Sequence, residues 1–345
     1  VPVLPAPGRT GTAPGRRRTV RTGEWCMEIV DRYGLSLALI EPHELAGEPW
    51  AVPSGAGRDV DVDVVRMERP PAGLWDELAS RGFLRKPATV TWVAELGPGE
   101  EEFLARLGTK ARQDVRRARR RAEAAGLREV VEEPVSEWTL DAFLALYEER
   151  VARMRFGVPF ALDHRDAVLH GPEKFCGVFA YAGDELVGGC LVLELPERDA
   201  AVVRFSAVSA EWRRHSLARA LYLSAMRVAR AKGYTWATLG NEPNLLGHLT
   251  RPGLFHFKTG MGFRAVPSQE FADPDGHDEA DLVLSLRTLG DPVLVLAYAG
   301  PGSGPGRPLA ARLISESPVP TAPYEAPFLA EVTRSAPHRG RRTGA

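Results

Sequence analysis

Cysteine is scarce in this chain: Cys26, Cys176 and Cys190 are three among 345 residues. An odd number without a paired spacing argues against a disulfide framework and a structural zinc site, and sets the expectation of a cytoplasmic protein. Long apolar runs are also missing. Leu35 to Ile40 is too short for the core of a signal peptide. No segment approaches the roughly 20 apolar residues of a membrane-spanning helix, so no membrane insertion is expected. The net charge is −1, which removes the bulk field that would select nucleic acid or a lipid surface. His164, His170 and His277 lie near acids, but no metal-ligand spacing recurs, and no metal is expected. A nucleophile elbow and a Walker loop are absent as well. Lysine is rare, only five of the 44 basic residues, and Arg supplies the rest. With abundant Ala, Gly and Pro, that bias is expected of a GC-rich bacterial genome.

What is present describes a globular protein. Apolar residues make up 44% and charged residues 26% of the chain, and its length suffices for two compact units. Residues 1–23 are rich in Pro, Gly, Arg and Thr without periodicity and read as a disordered tail. Residues 300–345, with Gly-Pro repeats and Arg339-Gly340-Arg341-Arg342, read the same way. Between these tails a weak strand is expected around Val60–Val65, a short helix over Leu74–Ser80 and a strand over Ala88–Leu96. Leu104, Leu107, Ala111, Val115, Ala118 and Ala122 recur at steps of three and four, predicting one helix from about Glu100 to Ala125, closed by Gly126. Ser136 is placed to cap a second helix with the stripe Leu140, Phe143, Leu144, Tyr147, Val151 and Met154. A meander follows: Phe175–Tyr181, Leu186–Leu195 and Ala200–Val208, joined by turns at Gly183-Asp184 and Pro196–Asp199. A helix over Ser216–Lys232, a buried-type strand over Thr235–Leu239 and a short helix near Gly253–Thr259 come next. Strands at Phe263–Val266, Leu282–Leu286 and Val293–Ala297 close the ordered part. A single mixed sheet over residues 175–287 is expected.

Four groups of residues can carry chemistry. Arg213, Arg214, His215, Ser216, Leu217 and Ala218 lead into a helix, where backbone N–H groups and basic side chains suit a phosphate. Phe257-Lys258-Thr259-Gly260-Met261-Gly262-Phe263 places a rare Lys beside two glycines. Gly240-Asn241-Glu242-Pro243-Asn244 follows a buried strand, where polar groups can face a ligand crevice. Turn chemistry explains Asn-Pro-Asn equally well. Residues 106–121 carry eight basic residues against Asp114 alone. Such a stripe can track the phosphates of a nucleic acid or serve as a solvated outer face.

The strand–loop–helix order and the spelling F-K-x-G-x-G resemble the GNAT superfamily, in particular its Fem-type, acetyltransferase-like branch. The run Arg112-Gln113-Asp114-Val115-Arg116-Arg117-Ala118 resembles the basic helix at the end of the first half of Fem-type proteins. The resemblance covers about residues 75–270. It implies an α/β fold with a GNAT-like central mixed sheet flanked by helices. A reduced N-terminal GNAT-like half over 24–127 would precede an acyltransferase domain over 128–290.

The resemblance further implies an N-acyltransferase that moves an acyl group, expected to be acetyl, from acyl-CoA to a small-molecule amine, with no resident cofactor. Arg213, Arg214, Ser216 and Ala218 would hold the donor's pyrophosphate, although Ser216 stands where the family has Gly and its hydroxyl could compete as a helix cap. Lys258 would stabilise an oxyanion. From their own place after a buried strand, Glu242 can take the amine's proton, and Asn241 or Asn244 can orient a substrate amide. Arg112, Arg116 and Arg120 would meet phosphates of tRNA or of a nucleotide-linked acceptor. Two alternatives stand beside this reading: a Fem-like transferase that uses aminoacyl-tRNA, and a non-catalytic binding module that kept the fold and lost the donor site.

Overall fold

The structure, a computed structural model, describes residues 17–22, 25–32, 35–48, 62–154, 157–244, 252–271, 273–300 and 306–338. It opens with β1 (Arg17–Thr22), β2 (Trp25–Arg32), β3 (Leu35–Leu39) and β4 (Val64–Glu68), then α1 (Trp75–Ser80), β5 (Leu84–Pro87) and β6 (Thr89–Glu95). Two helices, α2 (Glu100–Arg106) and α3 (Thr109–Ala124), lead to β7 (Arg128–Glu132), α4 (Glu137–Ala152) and α5 (Arg165–His170). The middle of the chain holds β8 (Phe175–Ala182), β9 (Glu185–Leu195), β10 (Ala200–Val208), α6 (Ala210–Arg214), α7 (Leu217–Ala231) and β11 (Trp236–Pro243). It closes with α8 (Pro252–Gly260), β12 (Arg264–Pro267), β13 (Asp278–Val283), β14 (Val293–Tyr298), β15 (Leu309–Ile314) and β16 (Leu329–Ser335).

These elements divide into two compact units that interleave along the chain: residues 1–90, 241–256 and 266–345 form one, and 91–240 with 257–265 the other. A sequence boundary at 127/128 is therefore corrected. The basic helix α3 belongs to the second unit, and the stretch after residue 266 returns to the first.

In the first unit, β13 pairs antiparallel with both β4 and β5, although some two hundred residues separate them along the chain. The sheet order is β1-β2-β3-β4-β13-β5, with β14-β15-β16 forming a separate three-stranded sheet. Ile29, Ala38, Val65, Met67, Leu78 and Leu282 pack as one of its cores. The expected tails are corrected in part. Residues 17–22 pair with β2, and β15 and β16 are paired strands whose residues Ala310, Ala311 and Leu313 are buried. Residues 1–16, 23, 301–305 and 339–345 lie outside the described part.

The seven-stranded sheet has the order β12-β6-β11-β10-β9-β8-β7. It differs from the expected single sheet over 175–287 by gaining β6 and β7 and by losing β13 to the other sheet. The meander β8–β9–β10 forms as its alternation predicts. Ser136 caps α4 by accepting from the Thr139 N–H, and the helix buries Leu140, Phe143 and Leu144 in one cluster with Phe179 and Phe205. Burying side chains of this kind stabilises by about 1.5–3 kcal/mol each. The predicted helix 100–125 is two helices. Leu107 and Gly108 are extended (ψ 149° and 154°), and the apolar period continues across the break because Val115 and Ala118 still face inward.

Candidate functional site

Strand β10 and helix α7 frame the candidate donor end of the second unit. The parallel ladder between β10 and β11 joins Ala200, Ala201 and Val202 to Trp236, Ala237 and Thr238. Among the described residues it ends there, so the C-terminal half of β10 is paired on its β9 side only. A bulge falls at Arg204, where the β9 register shifts between Val203 and Phe205.

After β10 the chain turns through α6 into α7. Ser216, the residue before α7, has φ 63° and ψ 27°, a left-handed conformation that favours Gly, and its hydroxyl makes no cap bond. The expectation that this side chain caps the helix is corrected: Ser216 departs from Gly in identity but keeps a glycine-like backbone. The Arg219 N–H bonds back to the Ser216 carbonyl at 2.9 Å, and the N–H groups of Leu217 and Ala218 before it lie at the positive end of the helix dipole. Ala218 lies in that first turn, and Arg213 and Arg214 just before it are exposed.

Lys258 sits in the last turn of α8. It is only 5% exposed, and its Nζ lies 5.0 Å from the centroid of the fully buried Trp92 ring. It is thus not a solvated surface lysine, and an aromatic face helps hold its charge. Gly262, directly before Phe263, has φ 84°, and a Cβ there would lie 2.9 Å from both Phe103 and Leu107 side-chain atoms. Phe257 is held by an edge contact with Tyr222 of α7, centroids 5.1 Å apart.

The first turn of α7 also carries a residue that the motif reading missed. The Arg219 guanidinium lies 5.2 Å from the Phe257 ring, and its Nη1 is buried with no hydrogen-bond partner. Burial pulls its pKa below the ordinary value, with the Asp114 charge acting in the opposite direction. Arg219 could be suspected from sequence only by knowing that α7 faces the F-K-x-G-x-G segment.

On α3, Val115 and Ala118 are buried. Arg116, Arg117, Arg120 and Arg121 are exposed, and half-buried Arg112 makes only long contacts, 3.4 Å, to the Ala105 carbonyl and the Thr109 hydroxyl. Arg112, Arg116 and Arg120 recur every four residues and so share one face. Arg119 differs from them: it turns to the Glu100 carboxylate in a bidentate pair.

Glu242 and Asn244 fall in the other unit. Asn244 is corrected as a substrate-orienting residue, because its amide is already fully committed. It is 1% exposed, its Nδ2 donates to the carbonyls of Pro87 (2.9 Å) and Leu296 (2.7 Å), and its Oδ1 accepts from the Leu296 N–H at 3.1 Å. It works as a clamp between segments distant in sequence. Its main-chain carbonyl accepts from Lys86 Nζ at 3.2 Å, which leads into a buried ion network that the sequence reading also missed. Lys86, fully buried, pairs with Glu279 (2.6 Å) and Asp281 (3.2 Å), and Arg66 pairs with the same two carboxylates at 3.1 and 2.7 Å. Burial disfavours the Glu279 carboxylate, but the Arg66 and Lys86 charges prevail and hold its pKa at about 2. Glu242 is half-buried near the end of β11.

Cys176 and Cys190 are buried free thiols, and burial pushes both pKa values up, Cys176 to about 11. Neither is poised as a thiolate nucleophile. Among the described residues no group of His, Cys, Asp and Glu can hold a metal ion, and no helix is long and apolar enough to cross a membrane.

A mixed sheet with a truncated parallel ladder, followed by a loop and a helix that begins at a left-handed residue, makes the second unit an α/β fold. Residues 109–258, from the start of α3 to Lys258, match the family model described as an acetyltransferase (GNAT) domain. No curated protein sequence matches the chain. Among solved structures it is similar to FemX, at 14% identity over 79% of this chain and 89% of that one, TM-score 0.42. The C-terminal domain (DUF2156) of a putative lysylphosphatidylglycerol synthetase from Agrobacterium fabrum is 14% identical over 77% and 84% of the two chains, TM-score 0.39. A tandem GNAT protein from the clavulanic acid biosynthesis pathway is 14% identical over 76% and 81%, TM-score 0.36. With TM-scores below 0.5, these likenesses do not place the chain with any one of them.

Proposed function

We propose that this chain is an N-acyltransferase of the Fem-like branch that moves an acetyl or similar acyl group from acyl-CoA to a small-molecule amine. The observation that carries the donor assignment is the start of α7. Ser216 holds the left-handed backbone of a phosphate loop, with Arg213 and Arg214 exposed just before it. That arrangement presents N–H groups, a helix dipole and two cations to a pyrophosphate.

In the proposed reaction the amine nitrogen attacks the thioester carbonyl carbon. A tetrahedral oxyanion forms, the C–S bond breaks, and the CoA thiolate leaves and takes up a proton. Lys258 stabilises the oxyanion as a compact charge in a site of low exposure. A general base takes up the proton from the attacking amine. Most of the remaining acceleration comes from aligning the two substrates.

A second reading has its own support. The stripe Arg112, Arg116 and Arg120 suits the phosphates of an aminoacyl-tRNA donor or of a nucleotide-linked acceptor. The experiment that separates the two incubates the purified protein with a panel of amines, once with acetyl-CoA and once with charged tRNA. Mass spectrometry should find acetylated amine and free CoA in the first set. Amide product in the charged-tRNA set alone would move the assignment to tRNA.

A further inference from the structure

Arg204 is a charge placed where the fold does not need one. It is the bulged residue of β10, and a bulge re-aims one side chain while the strand on either side keeps its pairing. Val202 and Phe205 beside it belong to the apolar cluster beneath α4, and the Arg204 guanidinium lies 5.4 Å from the Phe205 ring. Its Nη1 lies 3.7 Å from where a Cβ on Gly240 would stand. It therefore sits beside the end of the β10–β11 ladder, on the unpaired stretch of β10. Tyr147 of α4 packs edge-on against Phe205 at 5.8 Å, and the His164 ring is 5.2 Å from Phe205 on the same cluster.

No carboxylate, carbonyl or hydroxyl among the described residues takes a hydrogen bond from this half-buried guanidinium. Burial pulls its pKa below the ordinary value, and the charges that act in the other direction, exposed Glu173 and the Tyr147 phenol, do so without bonding it. A half-buried guanidinium without a protein acceptor leaves donors that a ligand can complete.

We infer that Arg204 is an acceptor-recognition residue, and that the amine acceptor carries a carboxylate which this guanidinium binds. The inference rests on the acyltransferase reading and adds the acceptor's chemical class to it. The planar fork of Arg matches a carboxylate in a two-point contact. A phosphate group carries more charge and draws on several donors. Among the described residues no other cation acts on the Arg204 charge, so a single carboxylate is the better match.

The test compares wild type with Arg204→Met and Arg204→Lys on matched amines that differ by one carboxylate: L-lysine against cadaverine, and L-phenylalanine against phenethylamine. Wild type should favour the carboxylated member of a pair, and Arg204→Met should lower that preference about 10- to 100-fold in kcat/KM, the worth of a charge-assisted hydrogen bond. Arg204→Lys should keep part of it. The melting temperature of ligand-free Arg204→Met should not fall below that of wild type, because no bond is lost; a purely structural Arg would give a clear drop. An unchanged preference, or a destabilised ligand-free variant, overturns the inference.

CoA binding, followed by calorimetry, reports separately on the acyltransferase reading. If wild type acylates no amine at all, thermal shift with the same pairs still decides the point. Stabilisation by the carboxylated member in wild type, lost in Arg204→Met, supports the carboxylate site, and its absence rejects it.

Discussion

Buried charge is handled in opposite ways in the two units. In the first, Arg66, Lys86, Glu279 and Asp281 neutralise one another with distances of 2.6 to 3.2 Å. Burial works against the Arg66 cation, yet its two carboxylate partners raise its pKa above the ordinary value. In the second unit, burial is the leading influence on Arg204 and Arg219 and lowers both. The first pattern is architecture: every charge has a partner, and β4, β5 and β13 are locked in register by it. The second leaves guanidinium donors without a protein acceptor, as the proposed acceptor site requires. The same residue type thus reports structure or function according to what faces it.

Removing one partner from the network is the strongest way to break this contrast. Glu279→Ala leaves Arg66 and Lys86 buried with one carboxylate between them, which should cost about 3–5 kcal/mol in chemical denaturation. An equal cost for Arg219→Met would erase the distinction, because Arg219 has no bond to lose at Nη1.

Acid should show the same asymmetry. The folded Glu279 pKa is about 2 against an ordinary 4.5, so the unfolded state binds the proton more readily. Its stabilising contribution is fully present above about pH 4.5 and is lost as pH falls towards about 2. Thermal melts between those values should lose stability steeply in wild type and less steeply in Glu279→Gln.

Within the second unit, Lys258→Met should lower kcat on the order of 10²-fold while the fold persists, and Arg should rescue poorly because a planar fork does not replace a compact ammonium. Melting measured beside single-turnover kinetics separates the two effects. Full activity in a folded Lys258→Met protein would remove Lys258 from the chemistry. The smallest expected effect is at the donor loop. Arg213→Ala should weaken CoA binding by ~1–2 kcal/mol, whereas Ser216→Gly should leave it unchanged or tighter, since the backbone there is already left-handed.

Local signals made much of the second unit legible. Periodicity and caps located α4, α7 and the β8–β10 meander to within a few residues, because each buries its stripe against a neighbour near in sequence. The Lys and glycines of the F-K-x-G-x-G segment were visible for the same reason. The first unit was less readable. Its sheet joins β4 and β5 to β13, and β15 and β16 come from a Pro- and Gly-rich stretch whose composition suggests disorder. Asn244 reads as a ligand-facing residue because it follows a buried strand, whereas its partners, Pro87 and Leu296, lie far away in sequence. Arg204 and Arg219 carry no motif. What singles them out is the absence of a partner, and that is visible only in three dimensions.

Acetyl transfer itself is the central claim, and an isotope-labelled acetyl group followed by mass spectrometry tests it most directly. With acetyl-CoA and a carboxylate-bearing amine, wild type should place the label on the amine nitrogen and release one free CoA per amide formed, and Lys258→Met should slow both together. Release of CoA without labelled amide, or no acetyl-CoA consumption by a folded protein that binds CoA, would contradict it.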